Sequence, residues 1–234
     1  MRRGVDRLAL RLLASVLLFG AATQSFVDAR VPAGLGIILT TAPHVSPDLR
    51  SALMDEATRI WDQAGVRLTW TPPSATAPST GRTLRLLAVE RPRTQTRADS
   101  SVVGELLRVD RSKAIAMVSL GEAQRIVARA AGDDRRRFSD RQVGLVLGRA
   151  AAHEIGHYLL DTSTHASEGL MRPRFDEWEF AAPQTAAFDL DRYAHGWIQR
   201  RVAEGLPLGP EAAPGVTRAP LLSGPAARAF SYEP

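Results

Sequence analysis

The sequence predicts an α/β fold built on a twisted, mostly parallel sheet, and three observations carry that reading. A strand, helix, strand unit begins at Gly36. Further strand-like segments follow before residue 120. One long apolar helix comes after them, too hydrophobic all round to lie on a surface. A strand, helix, strand order favours a parallel pair, because the helix carries the chain back across the sheet.

Gly36 to Thr40 (GIILT) reads as a short buried strand. Ser46 as N-cap, Pro47 at the first helical position and Asp48 in the first turn then start a helix. Its apolar positions Leu49, Leu53, Ala57, Ile60, Trp61 and Ala64 keep helical spacing, and Gly65 stops it. Val66 to Trp70 is the second strand, and Thr83 to Val89 the third, after a Pro, Ser and Thr stretch. Val102 to Val109 and Ala114 to Ser119 are strand-like, and Gly121 to Ala130 reads as a short helix. Ser139 with Gln142 three residues on is a capping-box signature for a helix running to about Leu160. Gly144, Gly148 and Gly156 each cost up to ~1 kcal/mol against alanine there, which implies close approach by a neighbouring backbone. A last helix is expected over roughly Pro183 to Arg201. From 204 to 234 the chain is rich in Pro, Gly and Ala without period, and reads as a flexible tail.

With 234 residues and 44% hydrophobic content, the chain has material for one core and one domain, 30 to 203. Residues 1 to 29 carry Arg2, Arg3, Arg7 and Arg11, an apolar run from Leu12 to Ala22, and small residues up to Ala29. This is the pattern of a signal peptide, and it implies export to the periplasm or the outside. The apolar run is about half the ~20 residues a span needs, so no membrane span is expected after its removal. There is no cysteine, hence no disulfide framework and no thiolate ligand; a metal site must use His, Asp or Glu. The formal charge of +5 falls to 26 basic against 23 acidic residues once 1 to 29 are removed. The arginines are scattered among acids, so nucleic-acid binding is not expected.

The chemistry lies in His153-Glu154-Ile155-Gly156-His157. Two imidazoles four residues apart on a helix project from one face and can grip one ion, while Glu154 sits one residue further round, beside the metal and not on it. A zinc ion with three protein ligands keeps a position for water and lowers its pKa towards ~7, and a neighbouring carboxylate can take the proton. As ordinary residues, the two histidines and Glu154 would be left without partners in an apolar helix, which is costly.

The longer run HEIGHYLLDTSTHASEGLM resembles the metzincin family of zinc peptidases, in which a third histidine follows a sharp turn and a methionine turn lies beneath the metal. The resemblance implies a zincin-like α+β layout, Zn2+ held by His153, His157 and His165, and Glu154 as general base. It also implies that Met171, in Gly169-Leu170-Met171, packs under the site, and that Val102 to Val109 includes the edge strand that pairs with extended substrate. The family pattern has glycine and histidine where this chain has Leu160 and Ser163, and His165 comes two residues later. Asp161 is expected to take the left-handed turn instead.

The expected function is therefore an exported zinc metalloendopeptidase acting on peptide or protein substrates. Two alternatives stay open: a secreted zinc-binding module without turnover, and a peptidase whose third ligand is Glu177 or Glu179. Glu168 reads as a turn residue and His44 as structural or exposed. Tyr193 and His195 are candidates for stabilising an oxyanion, with packing and solvation as the plainer reading.

Overall fold

The structure is a computed structural model, and it describes residues 33–74, 82–90, 102–109, 114–132, 139–183, 186–204, 206, 208–209 and 228–231. Segment 1 to 29, read as a signal peptide, lies outside the described residues.

Strands β1 (Ala33–Thr41), β2 (Val66–Thr71), β3 (Arg82–Val89), β4 (Val102–Arg108), β5 (Ala114–Ser119) and β6 (Arg228–Ser231) form one sheet in the order β2-β1-β3-β5-β4-β6. The four strands β2, β1, β3 and β5 run parallel to one another, while β4 is antiparallel to β5 and β6 to β4. The predicted α/β class with a mostly parallel sheet is the one observed. The strand over 228–231 lies inside the stretch, 204 to 234, read from composition as a flexible tail. It adopts strand geometry by pairing with β4, a tertiary partner that composition does not reveal.

Helices α1 (Pro47–Gln63) and α3 (Asp140–Leu159) lie against the sheet face that carries Leu35, Ile37, Leu39, Leu84, Leu86, Ala116 and Val118, all buried. Ser46 accepts from the Leu49 amide as the expected N-cap of α1. Both halves of the Ser139/Gln142 capping box are formed on α3. Between them comes α2 (Leu120–Ala130). Among the described residues no helix is long and apolar enough to cross a membrane.

The glycines of α3 mark its contact with α1. A Cβ on Gly148 would stand 2.7 Å from the Leu53 carbonyl oxygen, and one on Gly144 would overlap the Leu49 carbonyl and the Ala52 methyl. These are the backbone approaches expected. Gly156 differs, for its missing Cβ makes room for the Met171 thioether, a side chain.

A fully buried arginine ties the helices together. Arg149 Nε donates to Glu56 Oε1 of α1 at 2.9 Å, and its Nη1 to the Phe180 carbonyl at 2.6 Å. Phe180 sits on α4 (Glu177–Ala181), a short helix that sequence periodicity did not disclose. The expected last helix starts later than Pro183: a 3-10 turn over Ala186–Phe188 precedes α5 (Arg192–Ala203), which is capped by Asp191. An aspartate accepting from the Tyr193 and Ala194 amides fixes that start.

Candidate metal centre

Helix α3 brings His153, Glu154 and His157 into the interior, with relative exposures of 0%, 0% and 2%. The helix is held there by Trp61, whose indole N–H donates to the Ala152 carbonyl at 3.1 Å. The same bond fixes the backbone one residue before His153.

Each helical imidazole is oriented by a carbonyl on its Nδ1 side. His153 Nδ1 lies 2.7 Å from the Leu170 oxygen, and His157 Nδ1 lies 3.1 Å from the Thr162 oxygen. A carbonyl can only accept, so both Nδ1 atoms carry the proton and both Nε2 atoms are left with lone pairs. Those Nε2 atoms face one another at 3.0 Å. Two lone pairs turned on one point is the arrangement a cation between them satisfies. The distance is near the ~3.4 Å edge of a tetrahedron with ~2.1 Å bonds.

His165 completes the group. Its ring lies 5.3 Å from that of His153 and 4.9 Å from that of His157, centre to centre. One ligand atom from each of the three lies within 4.8 Å of the others. The three histidines therefore can hold a metal ion, the donor set being neutral, nitrogen-only and largely shielded from water. Burial holds His153 well below the usual histidine range, and the neighbouring His157 and His165 push the same way. The neutral form that a metal requires is the one this environment favours.

The late position of His165 is made possible by the turn after α3. Asp161 has φ 48°, the left-handed conformation expected of it. Arg108 of β4 secures the turn, with Nη1 3.0 Å from Asp161 Oδ1 and Nη2 donating to the His157 carbonyl at 2.8 Å. Beyond it, Gly169 takes φ 70° in a turn closed by Arg172 N–H to the Gly169 carbonyl at 3.2 Å. This turn supplies the Leu170 carbonyl to His153 and places buried Met171 against Gly156, under the helix.

Glu154 points from α3 towards β4, where a Cβ on Gly104 would stand 2.7 Å from its Oε1. Neither carboxylate oxygen has a hydrogen-bond partner among the described residues. Burial raises its proton affinity well above the usual carboxylate range, and the charge of Glu105 on β4 adds to the effect. Glu105, itself 1% exposed, was not a candidate from sequence. A glutamate within a strand carries no spacing signal, and only the fold puts it near Glu154.

The other candidates lie elsewhere. Glu177 is paired with Arg129 and Glu179 with Arg172, each at 2.8 Å, and neither belongs to the histidine group. Glu168 is an exposed turn residue. Tyr193 is 79% exposed, and the His195 ring nitrogen Nε2 meets the Gln63 carbonyl at the end of α1. Exposed His44 pairs with Glu90 at 2.7 Å. No protein-family model matches the chain, and no curated protein is similar enough to it to count as a relative.

Proposed function

We propose that the chain is an exported, zinc-dependent endopeptidase of the metzincin type, acting on peptide or protein substrates. The observation that carries this reading is the Glu154 carboxylate, fully buried and without a partner among the described residues, on the same helix as two of three converging imidazoles. A mere metal clamp gains nothing from a desolvated carboxylate, which costs about 1–3 kcal/mol or more to leave unsatisfied. A hydrolase needs such a group.

When bound, zinc supplies Lewis acidity towards a carbonyl oxygen and acidity to a coordinated water. His153, His157 and His165 would hold it, and their neutral Nε2 or Nδ1 atoms impose no charge of their own. Glu154 takes the proton of the attacking water on a carboxylate oxygen and returns it to the departing amine nitrogen. Burial raises the proton affinity of that carboxylate, and a bound cation beside it would pull it back towards the ordinary range, so that it can accept the proton. The Leu170 and Thr162 carbonyls hold the rings at fixed angles throughout. Further support comes from Met171, which packs beneath α3 as the metzincin resemblance implies. Export rests on the pattern of residues 1 to 29.

The test is metal analysis of protein purified without an affinity tag, together with a Glu154→Ala variant. One zinc per chain in both proteins, with cleavage of casein by the parent alone, is the expected result. Zinc in both and cleavage by neither would identify a zinc-binding module instead.

A further inference from the structure

Strand β4 lies against Glu154, and the chain fills the outer edge of that strand with its own segment. Gly104 of β4 lies against the Glu154 carboxylate. Any extended chain added to the far side of β4 runs one strand spacing, about 4.8 Å, from it. Strand β6 occupies this position, antiparallel, with Phe230 opposite Gly104, Ala229 opposite Glu105 and Arg228 opposite Leu106. The register shifts between Val102 and Gly104, beside the same point. Earlier in the chain, the Gly209 amide donates to the carbonyl of Leu159, the last residue of α3, at 2.8 Å.

The geometry points to Arg228–Ser231 as an internal occupant of the peptide-binding edge, a segment that an incoming extended peptide must displace from β4. The assignment of that edge to substrate rests on the peptidase reading above; the occupancy by β6 does not. An intramolecular strand competes at an effective concentration of the order of millimolar, so peptides of ordinary affinity are excluded until β6 leaves. A free edge strand is also a liability for association with other chains, and β6 covers it.

The test uses the full chain loaded with zinc. The substitutions Ala229→Pro and Phe230→Pro together remove two amide donors from β6, including whichever of the pair faces β4. The probe is a fluorescein-labelled synthetic peptide with the sequence of residues 224 to 234, and binding is measured in a Glu154→Ala background so that the probe is not cut. The doubly substituted chain is expected to bind it at least tenfold more tightly than the unsubstituted one. Hydrogen exchange gives a second readout that needs no variant. Those β4 amides that point away from β5 should be protected in the unsubstituted chain, and saturating probe should restore their protection in the variant. Equal probe binding by the two chains, or unprotected β4 amides in the unsubstituted chain, would overturn the proposal. With Glu154 intact, release of β6 should raise casein cleavage at least fivefold, and equal measurable rates would overturn the restraint. Cleavage by neither chain, with probe binding still gained, would sink the peptidase reading and leave the occupancy of β4 established.

Discussion

Gly104 and Glu154 share one small space: the absence of a side chain on the first lets the carboxylate of the second lie against β4, with Oε1 2.7 Å from where a Cβ would be. The strand thereby fixes where the carboxylate sits. Gly104→Ala should push Glu154 aside by a fraction of a bond length to about 1 Å. Zinc content should be unchanged, while casein cleavage should drop roughly 10- to 100-fold, since displacement of a reacting group on that scale costs about that much. Unchanged turnover in a folded, zinc-loaded variant would contradict the placement.

Glu154→Gln should separate stability from activity. The folded carboxyl has a raised pKa, so in metal-free protein it is protonated through a range where the unfolded chain is already ionised. Stability is thus lost as pH rises from the ordinary value near 4.5 through the folded value. Glutamine does not titrate. The metal-free variant should be more stable than the parent at pH 8, by about 1–3 kcal/mol, and no different below pH ~4. Denaturant melts at the two pH values check this. Casein cleavage should fall by about 10²- to 10⁴-fold, the usual contribution of a general base.

His165→Ala should weaken zinc binding by about 100-fold or more, because a two-ligand site lacks one of the three nitrogen donors and the geometry they define together. Glu177→Gln and Glu179→Gln should leave the affinity unchanged, since those carboxylates are held by Arg129 and Arg172. Competition with a chelating dye measures all three. Loss of affinity on substituting Glu177 or Glu179 alone would revive the glutamate-ligand alternative.

Much of this was legible in the sequence, and the parts that were not share a physical cause. The Ser46 cap, the Ser139/Gln142 box and the left-handed Asp161 depend on residues close along the chain, while the place of Met171 came from the resemblance. Local chemistry announces itself within a few positions. Arg149 on Glu56, Glu105 near Glu154, and β6 on β4 join residues far apart, and no period or spacing encodes such pairs. Gly156 illustrates the boundary: its need for room was readable, but not that a sulfur would take the space.

The Glu56 cluster gives an acid limit to the fold. Burial pushes its carboxyl up, but hydrogen bonds and charge from Arg59 and Arg149 outweigh this, and it titrates below its ordinary value near 4.5. A depressed folded value contributes stability that is complete above the unfolded pKa and is lost as pH falls through the folded one. Glu56→Gln should therefore flatten the loss of stability below pH ~4.5 while lowering stability at pH 7 by about 3–5 kcal/mol, the effect of leaving buried Arg149 without its partner. Thermal melts between pH 3 and 7 would reveal a parallel curve instead if the pair were unimportant.

Gly148→Ala should cost about 1–3 kcal/mol, because the new methyl meets the Leu53 carbonyl of α1, which has no room to retreat. The same change at Gly34, with nothing within 4 Å of its would-be Cβ, should be nearly neutral. Chemical denaturation of the two variants side by side is the comparison.

The three histidines that could hold a metal ion all fall within thirteen residues, at 153, 157 and 165, whereas the arginine that seats the helix of the first two meets a glutamate 93 positions away. Closing so short a loop round an ion costs little chain entropy, while docking α3 on α1 must wait for a long one. The ligands can thus gather before the domain does. In a refolding chain, a metal ion bound by these histidines would be captured early by a nascent helix and turn, and the slow step would be the burial of an already assembled site.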